Sequence, residues 1–397
     1  MGLNFLIFGN HPRLALAEFL ALNPKAKVLA QPLKACILES SDWRDKHLMD
    51  ELGGTVKLGE VVAESNGVDL KPTDIAEMMV DSQTTGSLEF GWTVFGADSK
   101  QKKIFERYPI QIKKSLKELG WKVRWVTGKG GESLSPAAVA KCHLTKNPNA
   151  DLCLMIEKGK VFLGRTTRVQ NADAWSERDY GRPYRDDENG MLPPKLARIM
   201  VNLAKVPKGG TLLDPFCGSG TVLMEAALAT TTGKIIGSDI DAKQIKDTYA
   251  NLAWLMKNKI ILDGKSRFQT FTADVKQIAK FLPTKSVDTV VTEGWLGPLL
   301  RGRESSQEIR KNAQQITALW SDALNALRPA LKDSASVVAV FPSFKSGVQT
   351  IRTDEQLDLA SLGYRAEDLP EGIKMEELYY ERTGQHLRRN IRLFRPV

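Results

Sequence analysis

Short apolar runs and amphipathic stretches alternate from the start of the chain. Residues 4–8, 28–32 and 35–39 read as strands, and residues 14–22 and 43–51 carry helical spacing, which together predict a small α+β module over 1–65. A second α+β unit is predicted over 66–171. It opens with a helix capped at Thr73 and Asp74, then a strand at 88–95 and one helix over 102–119 closed by Gly120. A strand at 121–126, a helix at 135–143 and strands at 152–156 and 160–165 complete it. Residues 172–194 are rich in charge, Gly and Pro and read as a linker.

From Lys195 the pattern changes. Strands at 211–214, 235–239, 268–272, 287–292 and 336–341 alternate with helices at 195–205, 220–229, 242–256 and 305–327, the order of a parallel sheet. Two last strands, 378–382 and 391–395, have no helix between them and predict an antiparallel hairpin at its edge.

Composition narrows the class. The 397 residues suit two or three domains, and 42% hydrophobic with 26% charged residues excludes a disordered or collagenous chain. Four cysteines without a C-x-x-C pair and only four histidines argue for a reducing, cytoplasmic setting and against a structural zinc site. The apolar opening is interrupted by Arg13 and Glu18, and Leu6 stands where myristoylation wants Ser or Thr, so neither a membrane span nor an anchor is expected.

The net charge of +9 permits an acidic partner, and its placement says more. Between Lys102 and Lys129 nine basic residues, among them Lys113, Lys114, Lys117 and Arg124, face two acids, with Phe105, Tyr108, Trp121 and Trp125 interleaved. Aromatics among cations suit stacking and phosphate contact with a nucleic acid. The same pattern also describes a solvated helix face.

The sharpest chemical signal is TLLDPFCGSGTVLMEAAL, a buried strand ending at Asp214 and a Gly218-Ser219-Gly220 turn opening a helix. Such a turn brings backbone N–H groups to a ligand at the sheet's carboxyl edge. Leu223 replaces the third glycine of a dinucleotide fingerprint, and no Walker lysine follows. Asp239, at the next strand end, can accept two ribose hydroxyls, and Asp274, after the third, can accept from an adenine amine; Asp241 reads better as a helix cap. Three strand-end carboxylates with a glycine turn describe an adenosine ligand without a pyrophosphate, and S-adenosyl-L-methionine fits.

DPFCGSG, GSDID and TAD resemble the motifs of class I methyltransferases. GMLPPKLARIMVNLA and YYERTGQHLRRNI resemble, more narrowly, the THUMP-domain tRNA guanine-N2 methyltransferases, and KKSLKELGWKVRWVTGKGGESLSPAAVAK is similar to a THUMP RNA-binding domain. The resemblance implies a seven-stranded Rossmann-like methyltransferase domain over 195–397, preceded by a ferredoxin-like module at 1–65 and a THUMP-like module at 66–171. It implies that Asp214, Phe216, Gly218 and Gly220 line the methionine end of the cofactor, with Asp239 on the ribose and Asp274 on the adenine. Lys113, Lys114, Lys117, Arg124 and Lys129 would face RNA, with tRNA favoured, and no metal is needed.

The family's fourth motif, Asp or Asn followed by Pro-Pro and an aromatic, is replaced by Glu293-Gly294-Trp295-Leu296. The guanine exocyclic amine is a poor nucleophile, because its lone pair is delocalised into the ring, so both N–H groups need acceptors. Glu293 and the Gly294 carbonyl supply them, with Trp295 as stacking face. A misplacement of about 1 Å costs on the order of a hundredfold in rate, so a cofactor-binding RNA binder with weakened or absent chemistry stays open. An amino-directed DNA methyltransferase is the other alternative. Cys217 as a nucleophile and the 178–185 run as an RNA contact are weaker candidates.

Overall fold

The computed structural model describes residues 2–39, 47–67, 69–80, 84–128, 133–185, 191–229, 232–258, 267–300, 302–346 and 349–397. It divides into two compact units, Met1–Leu16 with Asn23–Ala174, and Ala17–Leu22 with Trp175–Val397. No helix among the described residues is long and apolar enough to cross a membrane.

The first unit is built on one eight-stranded sheet. Its strands are β1 (Leu3–Phe8), β2 (Lys27–Ala30), β3 (Ala35–Glu39), β4 (Thr55–Asn66), β5 (Ser87–Phe95), β6 (Lys122–Val126), β7 (Ala150–Glu157) and β8 (Lys160–Val169), in the order β2-β3-β1-β4-β8-β7-β5-β6. The sequence pattern did not predict β4. Its second half alternates in burial and is rich in polar residues, yet it pairs with both β1 and β8 and so joins the two predicted modules in a single sheet. The predicted helix at 43–51 is helical over Leu48–Glu51, and residues 43–46 lie outside the described residues.

The basic stretch is two helices, Ser99–Phe105 and Tyr108–Glu118, where one was expected. Pro109 lies in the first turn of the second, where its missing N–H costs nothing but where a continuous helix would need that donor. Tyr108, Ile112 and Leu116 turn inward to a core that includes Phe90, Phe105 and Leu154.

The second unit carries the parallel sheet. Strands β9 (Gly210–Asp214), β10 (Thr232–Asp239), β11 (Phe268–Thr272), β12 (Val287–Glu293) and β13 (Leu331–Ser346) are followed by β14 (Gln349–Arg352), β15 (Tyr364–Ala366), β16 (Tyr379–Tyr380) and β17 (Leu387–Pro396). The order is β11-β10-β9-β12-β13-β17-β15, with β14 on β13 and β16 on β17. The first five strands pair in parallel and β17 runs antiparallel to β13, the Rossmann-like methyltransferase arrangement with its expected closing hairpin. Helix Ser306–Leu327 packs Ile316, Trp320 and Leu324 onto the sheet beside Val290 and Phe341.

The stretch 172–194, polar enough to read as a linker, is helical over Ala172–Ser176 and Glu177–Gly181. Two of its arginines, Arg178 and Arg182, are buried inside the second unit. Buried Glu225 accepts from Arg178 Nε at 2.8 Å and from Arg198 Nε at 3.1 Å, and Arg182 donates to Thr221 Oγ1 at 2.8 Å. A charged segment becomes part of a core when its guanidiniums find buried acceptors, which composition alone does not reveal.

Candidate active site

The carboxyl ends of β9, β10, β11 and β12 meet at one edge of the sheet. β10 lies between β9 and β11; Asp214 aligns with Gly237, two positions before Asp239, and Asp239 aligns with Thr272, two positions before Asp274, so the acids stand at adjacent strand ends. The Ala273 N–H donates to the Asp239 carbonyl at 2.9 Å, bringing Asp274 alongside.

Asp239 braces the glycine loop. One oxygen accepts from the Gly218 N–H at 3.0 Å and the other from the Asp241 N–H at 3.0 Å. A carboxylate offers about four lone-pair sites, so capacity remains for ligand hydroxyls. Asp274 caps the short helix Val275–Lys280 through the Lys276 N–H at 2.9 Å and likewise keeps spare acceptor capacity, while Asp241 caps helix Ala242–Lys257. Asp214 is fully buried. It accepts from Thr292 Oγ1 at 2.6 Å and from the Phe216 N–H at 3.2 Å, and burial pushes its carboxyl up to about 7 against these bonds.

The loop itself is held from several sides. Thr248 Oγ1 donates to the Gly218 carbonyl at 2.6 Å, and Asn251 Nδ2 donates to the Ser219 carbonyl at 2.8 Å while Asn251 also bonds the backbone N–H and carbonyl of Tyr184. The N–H groups of Phe216, Cys217, Gly218 and Gly220 all bond within the protein, so these four are not the ligand donors that the loop pattern suggested. The two glycines differ. A Cβ at Gly218 (φ +50°) meets nothing within 4 Å, whereas one at Gly220 (φ +88°) lies 2.9 Å from Thr248 Oγ1. Gly218 therefore stands beside open space, and Gly220 packs closely against Thr248 of helix Ala242–Lys257. Burial, and then the nearby Asp214 and Asp239 carboxylates, push the Cys217 thiol well above its usual value, which disfavours a reactive thiolate there.

The fourth strand delivers Glu293 next to the Thr292 that bonds Asp214. Glu293 Oε1 accepts from Arg389 Nε at 2.7 Å, and Arg389 in turn donates to Gln385 Oε1 at 3.2 Å. Gly294 rests on Trp320, where a Cβ would fall 2.8 Å from the ring. Phe216 packs on the same indole from the glycine loop, with ring centroids 5.6 Å apart. Trp295 is 45% exposed, an open aromatic face one residue further on. Sequence reasoning missed Arg389 and Trp320. Arg389 lies 96 positions beyond Glu293 and Trp320 lies inside the helix predicted over 305–327, so neither carries a local signal of its place at the site.

Two observations test the fit of an adenosyl cofactor. The Gly218 turn leaves room beside acceptors suited to hydroxyls and an amine, and the buried Trp320 indole N–H, between Phe216 and Gly294, has no hydrogen-bond partner among the described residues. The donor set fits the group. No cluster of metal-ligating residues occurs among the described residues.

In the first unit, Lys113, Lys114 and Lys117 lie on the outward side of helix Tyr108–Glu118. Lys114 has Glu118 at 3.8 Å, and Arg124 pairs with Glu89 at 3.1 Å. Lys129 lies outside the described residues.

Residues 182–356 match the RMKL-like methyltransferase domain family. A tRNA (guanine(10)-N2)-dimethyltransferase of Methanocaldococcus jannaschii is 35% identical over 160 residues, 39% of this chain and 42% of that relative. The chain thus spans about half the length or less of the first curated relatives it matches. A shorter relative, a "probable tRNA (guanine(10)-N2)-dimethyltransferase" of Methanothermococcus thermolithotrophicus, is 36% identical over 122 residues, 31% of this chain and 72% of its own length. Among solved structures, TrmN from Thermus thermophilus aligns over 100% of this chain and 99% of its own with TM-score 0.55 at 18% identity, which shows a shared fold. With the sheet order, the glycine loop and these matches together, the chain belongs to the THUMP-class tRNA guanine-N2 methyltransferase family.

Proposed function

We propose that this protein methylates the exocyclic N2 of a guanine in structured RNA, with tRNA as the favoured substrate. The observation that carries the reading is Glu293, placed at the end of β12 beside the Asp214 loop and tethered by Arg389 through one oxygen. Its other oxygen and the Gly294 carbonyl are the acceptors for the two amine N–H groups, and Trp295 is the face on which the base stacks. S-adenosyl-L-methionine, when bound, supplies an electrophilic methyl group on a sulfonium. Asp239 and Asp274 would hold its ribose and adenine, and Phe216 and Gly218 its methionine end.

The chain's own part is positioning. Two acceptors fix the plane of the amine so that its lone pair faces the methyl donor, and no residue forms a covalent bond. Named relatives that act on guanine-N2 of tRNA support the amine and the RNA class. The ferredoxin-like (1–65) and THUMP-like (66–171) modules that we assign to the N-terminal part of the chain would bind RNA through Lys113, Lys114, Lys117, Arg124 and Lys129. The four unpaired cysteines suit a reducing setting, and we place the protein in the cytoplasm.

The test is incubation with isotope-labelled S-adenosyl-L-methionine and tRNA, followed by nucleoside mass spectrometry. Labelled N2-methylguanosine is expected. Tight cofactor binding with no labelled nucleoside from any RNA would replace the enzyme with a non-catalytic RNA binder.

A further inference from the structure

We propose that the turn between β16 and β17, with the residues around Gly302, forms a second RNA-binding surface that takes the unpaired strand flanking the target nucleotide. The proposal rests on the reading that Glu293 faces the acceptor base.

The hairpin is tied to the reacting centre through its backbone. Tyr380 pairs across the ladder with Arg389, and Arg389 is the residue that bonds Glu293. What the hairpin carries around this turn is aromatic and basic. The Arg388 guanidinium lies over Tyr379 at 4.1 Å from the ring centroid, and Arg382 lies 5.8 Å from the Tyr380 centroid while its Nε donates to the Tyr380 hydroxyl at 2.9 Å.

The stretch after β12 meets this turn at one point. Gly302 (φ +76°) sits against His386, and a Cβ there would fall 2.5 Å from the imidazole. Only glycine fits that contact, and it carries the exposed Arg303 to the side of the hairpin. Trp295, half-exposed, begins the same stretch.

The acids nearby are used inside the protein. Glu381 pairs with Arg388 at 2.9 Å, and Glu304 accepts from the Gly302 and Arg303 N–H groups at 2.9 and 3.0 Å. Among the described residues here Arg303 and Arg382 are exposed, Arg382 beside the Tyr380 ring and Arg303 directly after the Gly302 that packs on His386.

This composition suits an unpaired strand. A guanine N2 in a duplex is base-paired and stacked, so its amine meets an acceptor site only when the base leaves the stack. The neighbouring nucleotides then lose their stacking partner, and aromatic faces with adjacent guanidiniums replace it while the cations neutralise phosphates.

The test uses the full chain and equilibrium binding of a fluorescent 12-nucleotide unpaired oligoribonucleotide and of the corresponding duplex. An Arg303→Gln/Arg382→Gln variant should bind the unpaired strand about tenfold more weakly at low salt. Its salt slope should fall by about 1.4, two phosphates at roughly 0.7 each. Tyr380→Leu should lose about tenfold, the scale of one base–aromatic contact, with the slope kept. Arg365→Gln, on β15, and the cofactor affinity of all variants should match the parent. Unchanged affinity and slope in both variants, or equal losses on the duplex, would overturn the proposal. Because the readout is binding, a parent that binds as expected but methylates no RNA would refute the proposed activity and leave this surface standing.

Discussion

Arg389 Nε donates to Glu293 Oε1 at 2.7 Å across 96 positions of sequence, with only 3% and 12% of the two side chains exposed. The departure from the family's motif thus comes with a tether. A carboxylate one methylene longer than Asp is fixed through one oxygen by a planar donor, which leaves the other to be aimed.

Truncating Glu293 therefore has two consequences. Glu293→Ala should lower single-turnover methyl transfer at least a hundredfold and also destabilise the fold by about 3 kcal/mol, because a buried guanidinium loses its counter-charge. Glu293→Gln keeps an acceptor for Arg389 and should lose less of both. Arg389→Lys should lower the rate while cofactor affinity holds, since a point charge does not reproduce the guanidinium geometry. Urea denaturation beside single-turnover assays separates these effects, and an alanine variant as fast as the parent would reduce Glu293 to a strut for Arg389.

Restoring the family's proline at 294 should fail. A Cβ there falls 2.8 Å from Trp320, so Gly294→Ala or Gly294→Pro overpacks the indole and should cost roughly 1–3 kcal/mol. In a Trp320→Phe background the cost of Gly294→Ala should shrink, and thermal denaturation of the double-mutant cycle reads the coupling.

The glycine loop has one open position, Gly218, and one closely packed position, Gly220. Gly218→Ala should weaken S-adenosyl-L-methionine binding with about 1 kcal/mol of stability lost to its left-handed backbone. Gly220→Ala should lose more stability, because it adds a 2.9 Å approach to Thr248 to the same strain. Calorimetric titration and melting of both variants give the comparison, and equal stability losses would refute the assignment.

Asp214 makes stability depend on pH. With its carboxyl raised to about 7 by burial, the native state keeps a proton that the unfolded state releases near pH 4. Its contribution is complete below pH 4 and fades as pH rises to 7. Asp214→Asn, which stays neutral and retains an acceptor for Thr292, should gain on the parent by a few kcal/mol between pH 4 and 7. Urea unfolding of both proteins at pH 4.5, 6 and 7.5 measures the difference, and a constant offset would mean that Asp214 is ionised throughout.

RNA affinity assigned to the first unit should weaken with salt. Replacing Lys113, Lys114 and Lys117 together by Gln should flatten the salt dependence by up to about three times 0.7 to 0.9. The existing Lys114–Glu118 pair puts the expected change nearer two phosphates than three. Affinity and slope both surviving would leave that helix as a solvated face.

The alternation of apolar strands with amphipathic helices after Lys195, and the acids at the strand ends, were legible along the chain because period and spacing are local properties. They sufficed for a parallel sheet and for placing Asp214, Asp239, Asp274 and Glu293 at one edge. What a residue does at that edge depends on neighbours distant in sequence. Gly220 packs against Thr248, Gly294 against Trp320, and Arg178 and Arg182 vanish into the interior because Glu225 and Thr221 await them. Strand β4 escaped notice for the same reason, its polar half being stabilised by ladders with strands far along the chain. Local pattern determined the alternating elements of the parallel sheet. Only the tertiary packing decided which charges are paired, which glycines are closely packed, and that a glutamate from β12 is held by an arginine from β17.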